Sequence, residues 1–219
     1  MRQSGEATGR LDRRKARTRA ALIHAAQAFL AAGTANVPIV EITEAADVGM
    51  GSFYNHFDSK DELFRAAVED ALDVFGALLD ELSGSLDDPA HAFAQSFRLF
   101  GRLHRQNPEL SKVLLNDAPA VARSAQGLAP RQRRDIEAGM RAGRFNVRDP
   151  ELVHVVVTSA ALGLAHLLHT RPGRDDADAT DQVTEDVLRM LGIPAAEAHA
   201  ICQRPLPDLG HPPRHDFAA

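Results

Sequence analysis

The chain has no tryptophan, one tyrosine and one cysteine, and aromatic residues make up only 5% of it. A single cysteine, Cys202, excludes an internal disulfide and any cysteine-built zinc site. Runs of β-branched residues are scarce while Ala and Leu dominate, so helix is favoured over sheet. The longest apolar run in the second half, Ala160–Ala165, is far short of a membrane span. The N-terminal stretch MRQSGEATGRLDRRKARTR has no apolar core and does not read as a secretory signal. These absences favour a cytoplasmic protein. There is no phosphate-cradling GxGxxG or GxxxxGK, no nucleophile elbow and no metal-ligand spacing. Ser, His and Asp occur, but in no pattern that implies a triad. The expectation is a non-enzyme without cofactor or metal.

The 219 residues that are present, 44% of them apolar, suffice for one large or two small domains with a sizeable core. The net charge of −5 is unevenly spread. Residues 1–60 carry eight Lys/Arg against six Asp/Glu, and residues 61–219 carry seventeen against twenty-four. Arg10, Arg13, Arg14, Lys15, Arg17 and Arg19 crowd the start. A basic arm on an acidic body suits a polyanion bound at one end; the plainer reading is a solvated tail.

Periodicity predicts an all-α chain. A helix is expected from Leu11 to Ala32, with Leu22, Ala25, Ala26 and Phe29 on one face and Gly33 as its cap. A short helix follows over Ile39–Ala46, opened by Pro38. Asp47-Val48-Gly49 reads as a tight turn, and a third short helix is expected over Gly51–Phe57. Ser59 and Glu62 have the spacing of a capping box at the head of a long helix to Leu82, which ends at a Ser83-Gly84-Ser85 break. Further helices are expected over 89–105, 108–116, 131–143, 150–169, 177–191 and 195–203, with Asp149-Pro150-Glu151 as a cap, first-turn proline and first-turn acid.

A long helix, a short helix, a tight turn and a short polar helix make a helix-turn-helix. The only tyrosine lies in its last part, GMGSFYNHFDSK, between Phe53 and Phe57. The phenylalanines turn inward, leaving Ser52, Tyr54, Asn55 and His56 partly outward, as a helix entering the DNA major groove requires. Tyr54 can donate its hydroxyl to a phosphate. Lys60 opposes the dipole of the helix it begins, a conflict that a bound phosphate would relieve.

The stretch Arg17–Phe64 resembles the DNA-binding domain of TetR-family transcription regulators. The residues that carry the resemblance are Ile42-Thr43-Glu44-Ala45-Ala46, Val48-Gly49, Ser52-Phe53-Tyr54-Asn55-His56-Phe57, Ser59-Lys60 and Glu62-Leu63-Phe64. Beyond residue 64 the resemblance is one of architecture. It implies a DNA-contacting set of Arg17, Arg19, Thr43, Gly49, Met50, Gly51, Ser52, Tyr54, Asn55, His56 and Lys60. Tyr54, His56 and Lys60 would meet phosphates, and Met50, Gly51 and Ser52 would approach bases. Two positions depart from the family pattern. Pro38 has no hydroxyl and no N–H to offer a phosphate. Met50 replaces a base-reading Arg or Lys with a thioether, which can touch a thymine methyl but cannot bond guanine bidentately.

The resemblance further implies a near-palindromic double-stranded DNA partner, a homodimer and a small-molecule effector, identity unknown, that releases a repressor from its operator. The implied division is a disordered basic arm at 1–10, a helix-turn-helix unit at 11–60, a helical regulatory and dimerisation domain at 61–203, and a flexible tail at 204–219. The helix at 150–169 is apolar nearly all round and carries small residues, which suits a subunit interface. Val156, Ser159, Ala160, Gly163, Leu167, Val183, Val187 and Leu191 are the candidates, against a monomer core. Phe93, Phe97, Phe100, His104, Met140, Leu162 and His166 are the candidate effector pocket, against ordinary core packing. The arginines from Arg131 to Arg148 read as a solvated face or as an aid to an acidic ligand. The competing reading of the whole chain is a helical protein-interaction module without sequence-specific DNA binding.

Overall fold

A computed structural model describes residues 3–82, 86–117, 121 and 128–208 of the chain. Ten helices and no strand occur among the described residues. They are α1 (Gln3–Ala31), α2 (Ile39–Ala45), α3 (Met50–Phe53), α4 (Lys60–Leu82), α5 (Pro89–Gln106), α6 (Pro108–Asn116), α7 (Leu128–Arg141), α8 (Pro150–Thr170), α9 (Asp176–Met190) and α10 (Ala195–Cys202). The expected break at 83–85 and the tail beyond residue 208 lie outside the described residues.

Local chemistry sets most of the boundaries. Asp149 accepts from Glu151 N and Leu152 N at the start of α8, Asp88 from Ala90 N at α5, and Asp175 from Asp178 N at α9. Ser59 accepts from Glu62 N at 3.1 Å, while Glu62 reaches back to Asp58 N at 2.6 Å. Gly33 closes α1 with φ +72, and Gly192 closes α9 with φ +96.

Three expectations change. The backbone from Gln3 is helical, continuous with α1, where residues 1–10 were expected to be disordered; Gly5 and Gly9 weaken the segment, but a helix already nucleated on the buried face at Leu22 extends without a new nucleus. The turn before α3 is made by Asp47, whose φ is +52, while Gly49 is extended at φ −70. The third helix ends at Phe53 rather than Phe57, because the amides of His56 and Phe57 share the Phe53 carbonyl at 2.9 and 3.0 Å and close a final turn instead of continuing the helix.

Two apolar clusters organise the chain. The first joins Leu22, Ala26 and Leu30 of α1, Ile42, Phe53 and Phe57 of the helix-turn-helix, and Phe64, Val68, Leu72 and Phe75 of α4 to Leu99 and Leu103 of α5 and Leu110, Val113 and Leu114 of α6. It therefore runs straight across the expected boundary at residue 60. Asn116 strengthens the junction by donating from Nδ2 to the Leu30 carbonyl at 2.7 Å, and Gln27 by donating to Ala67 O and Asp70. The second cluster joins α5 to α7, α8, α9 and α10 through Phe93, Phe97, Ile136, Phe145, Val157, Leu164, Leu168, Leu188 and Ile201. α5 belongs to both. Thr180 of α9 sits where a side chain at Gly101 of α5 would have to go. Arg98 and Arg102 of α5 clamp Asp181, and Arg98 also donates to the Arg204 carbonyl.

Candidate functional site

Phe53 and Phe57 hold the polar end of the helix-turn-helix in place. Both are buried, their ring centroids 6.1 Å apart, and Tyr54 stands edge-on to Phe53 at 5.2 Å. Tyr54 is 59% exposed and Met50 45% exposed. Gly49, Gly51 and Asn55 are exposed beside them, and Ser52 and His56 are half-buried. A side chain built at Gly49 or Gly51 would meet nothing within 4 Å, and neither glycine has a left-handed φ. The protein's own packing thus gives no reason for these glycines, whereas a surface approaching from outside does. Arg19 lies over the Phe57 ring at 5.1 Å, which fixes a cation at the edge of this surface, and Arg17 is exposed. Lys60 donates to Asn36 Oδ1 at 3.3 Å and Val37 O at 3.1 Å, so it ties the α1–α2 loop to the head of α4.

Thr43 does not join this surface. It is 2% exposed and its hydroxyl donates to Val40 O at 2.9 Å, so it packs inside the unit.

The second site is a cavity of about 300 Å³ between α4, α5, α7 and α8. Leu72, Leu79, Phe93, Phe97, Phe100 and Leu162 give it an apolar wall. Ser96, Arg131, Gln132, Asp135 and Thr158 give it a polar edge, where Thr158 donates to Gln132 Oε1 at 3.0 Å. Burial pushes the Asp135 carboxyl above its ordinary range, although the neighbouring Arg134 draws it back. Asp80 is held below its usual range, chiefly by its hydrogen bonds from Arg131.

Four of the seven residues expected here, Phe93, Phe97, Phe100 and Leu162, line the cavity. His104 does not. It is buried in the first cluster, its Nδ1 2.6 Å from Ser111 Oγ and its ring against Phe75 and Phe100, and burial pulls its pKa down to about 3. Met140 packs against the second cluster, and His166 is exposed. The sequence reading missed Asp80, Ser96, Gln132, Asp135 and Thr158. The signal for them is a polar residue next to a buried apolar one on the same helix, such as Asp135 beside Ile136. The arginine-rich stretch divides: Arg131 and the more exposed Arg134 line the cavity, Arg144 bridges Asp88 and Glu197, and Arg133, Arg141 and Arg148 are exposed.

The expected subunit face is also split. Leu152, Val155 and Val156 of α8 are exposed at 63%, 56% and 48%, with Ser159 and Gly163 exposed and Ala160 and Leu167 half-buried alongside. Val183 of α9 is half-buried, but Val187 and Leu191 belong to the second cluster and leave the candidate set, because α9 turns that side toward α5 and the Ile193 loop. By length and composition α8 could cross a membrane, and only 28% of its most apolar stretch is buried.

Residues 22–67 match the model of bacterial regulatory proteins, tetR family, and residues 88–204 match that of the tetracyclin repressor-like C-terminal domain. The chain belongs to the TetR family. This regulator is a DNA-binding transcription factor, not an enzyme. It is 34% identical to RolR crystallised with its ligand resorcinol, over 91% of this chain and all of that one, with a TM-score of 0.63. Ligand-free RolR is 35% identical over 87% of this chain and all of its own, with a TM-score of 0.64. The TetR-family protein CprB from S. coelicolor A3(2) shares the fold, at 19% identity and a TM-score of 0.58 over 86% of this chain and 96% of its own. No curated protein matches the chain in sequence.

Proposed function

We propose that this TetR-family regulator is a cytoplasmic, homodimeric repressor that leaves a near-palindromic operator when a small aromatic hydroxy compound fills the cavity. The observation that carries this reading is the cavity's make-up. A volume of about 300 Å³ suits a ligand of one ring or a few fused ones, the phenylalanine wall suits an aromatic face, and the polar edge suits hydroxyl groups. Resorcinol, the ligand of RolR, is of that class. A ligand hydroxyl can donate to the Asp135 carboxylate or Gln132 Oε1 and accept from Arg131 or Ser96.

The exposed stripe from Leu152 through Val156 to Gly163 supports the dimer. It is apolar, long and lined with small residues, so two copies can approach closely across a two-fold axis. Two helix-turn-helix surfaces then face successive major grooves. Tyr54 and His56 hold phosphates, while Met50 and the open space at Gly51 meet base edges. The domain reading becomes a DNA-binding unit over 11–60 and a regulatory body over 61–203, mechanically joined by the shared cluster.

The test takes the full chain, selects bound duplexes from a random DNA pool, and then titrates the best duplex complex with resorcinol and related dihydroxybenzenes. Enrichment of a near-palindrome followed by release on titration supports the reading. Binding of unrelated duplexes alike would overturn the operator part, and a selected complex indifferent to every dihydroxybenzene would overturn the effector part.

A further inference from the structure

Arg131 of α7 lies across α4 at Gly76. A side chain built at Gly76 would fall inside the Arg131 guanidinium, so only glycine leaves that seat open. From the seat Arg131 donates Nη2 to Asp80 Oδ2 at 2.5 Å and Nε to Asp80 Oδ1 at 3.1 Å. Asp73, one turn the other way along α4, adds its charge to the same guanidinium. Arg131 and Asp80 also both line the cavity. One cation thus touches the ligand space and the helix that continues into the DNA-binding unit. α4 begins at Lys60, beside the polar end of the helix-turn-helix, and Phe64 and Val68 bury it in the same cluster as Phe53 and Phe57.

We propose that Arg131 is the latch that reports cavity occupancy to α4: seated on Gly76 and paired with Asp80, it holds α4 in the DNA-competent position, and a ligand hydroxyl that draws the guanidinium into the cavity frees α4 to move. The ligand half of this rests on the effector reading above. The pair suits the task because it is partly exposed, 28% at Arg131 and 54% at Asp80. Such ion pairs are weak, so the few hydrogen bonds of a small ligand can outweigh one. A fully buried pair would lock the helix instead. Asp80 offers two oxygens in bidentate geometry, which gives the seated state direction as well as attraction.

Gly76→Ala tests the latch without removing a charge. The added methyl overlaps the seat and forces the guanidinium to shift from it, and alanine is a better helix former than glycine, so α4 itself is retained. The measurements are made on the full chain: Kd for the selected duplex with and without resorcinol, resorcinol binding by calorimetry, and the thermal melt. Gly76→Ala is expected to bind DNA about tenfold more weakly with no ligand present, and added resorcinol is expected to weaken it little further. Asp80→Asn is expected to behave likewise, and Asp80→Glu, which restores the charge, to return the parent's ligand response. A purely structural role would lower the melting temperature and leave the ratio of the two Kd values intact, as would a latch that does not exist. Asp80→Asn, folded and with the parent's DNA affinity and resorcinol response, overturns the proposal, and an unchanged Gly76→Ala overturns the part assigned to the glycine seat. If the parent itself ignores resorcinol, the effector reading fails, and the latch stands or falls on ligand-free DNA affinity alone: tenfold weaker in Asp80→Asn supports it, unchanged refutes it. Should Gly76→Ala not fold, the same comparison on Asp80→Asn decides.

Discussion

Tyr54 holds its ring edge-on to Phe53 and its hydroxyl outside the protein. Tyr54→Phe leaves the ring contact and removes only the donor. A hydrogen bond to a charged acceptor is worth about 1.5–3 kcal/mol. Anisotropy titration should therefore show DNA binding weakened by roughly ten- to a hundredfold, with an unchanged melting curve. His104 does the opposite work inside. Its pKa falls from 6.5 to about 3, first because of burial and then because of His169. The folded state therefore keeps it neutral where the unfolded chain takes up a proton, so this stability is present above pH 6.5 and drains away as the pH falls toward 3. Within that window the loss runs at about 1.4 kcal/mol per pH unit. His104→Gln keeps a partner for Ser111 without titrating, and denaturant titrations from pH 7 to pH 4 should show a shallower decline for it than for the parent. The burial of His104 was legible as one of two readings, since it continues the face of Phe93, Phe97 and Phe100, but the choice between cavity and packed core was not; the burial of Thr43 was not legible, because only the neighbouring helices decide which side of the short α2 is covered.

At the scale of elements, the long helices were legible because each carries both a periodic apolar stripe and a capping residue. Asp149 and Asp88 cap where their Asp-Pro sequences say they should, and the α4 stripe from Phe64 to Leu79 is buried. The short α3 was legible in kind but not in length. Four residues cannot hold a helix alone, so its geometry comes from Phe53 and Phe57 in the shared cluster. Phe53→Ala should accordingly cost about 3–5 kcal/mol of unfolding free energy in a denaturant titration and abolish specific DNA binding. Ser59→Ala, which removes only the cap at 3.1 Å, should cost about 1 kcal/mol and leave the DNA sequence preference as it is. The cavity was legible only as an apolar wall, Phe93, Phe97, Phe100 and Leu162. Its polar edge comes from α4, α5, α7 and α8 converging, and single-helix periodicity carries no information about which polar faces meet.

At the scale of the whole molecule, the exposed valines of α8 stand where the dimer reading needs them. Val156→Glu would bury an unpaired charge in that interface, at about 3 kcal/mol or more. Sedimentation should then show monomers at concentrations where the parent is dimeric, with DNA affinity falling in step. The buried cluster that joins α1 to α6 has a different kind of consequence. Asn116 and the Leu110–Leu114 face belong to the body by sequence and to the head by packing. A chimaera that grafts residues 1–60 onto a distant relative's body would set the Leu30 carbonyl and the α1 surface against side chains never fitted to them. Such heads are not interchangeable parts, and a working exchange has to carry α6 along with α1. A crossover at residue 60 cannot do that, and one placed after α6 would instead part α5 from Thr180 and Asp181 of α9, so operator specificity is expected to change by substitution within the helix-turn-helix rather than by exchange of whole units.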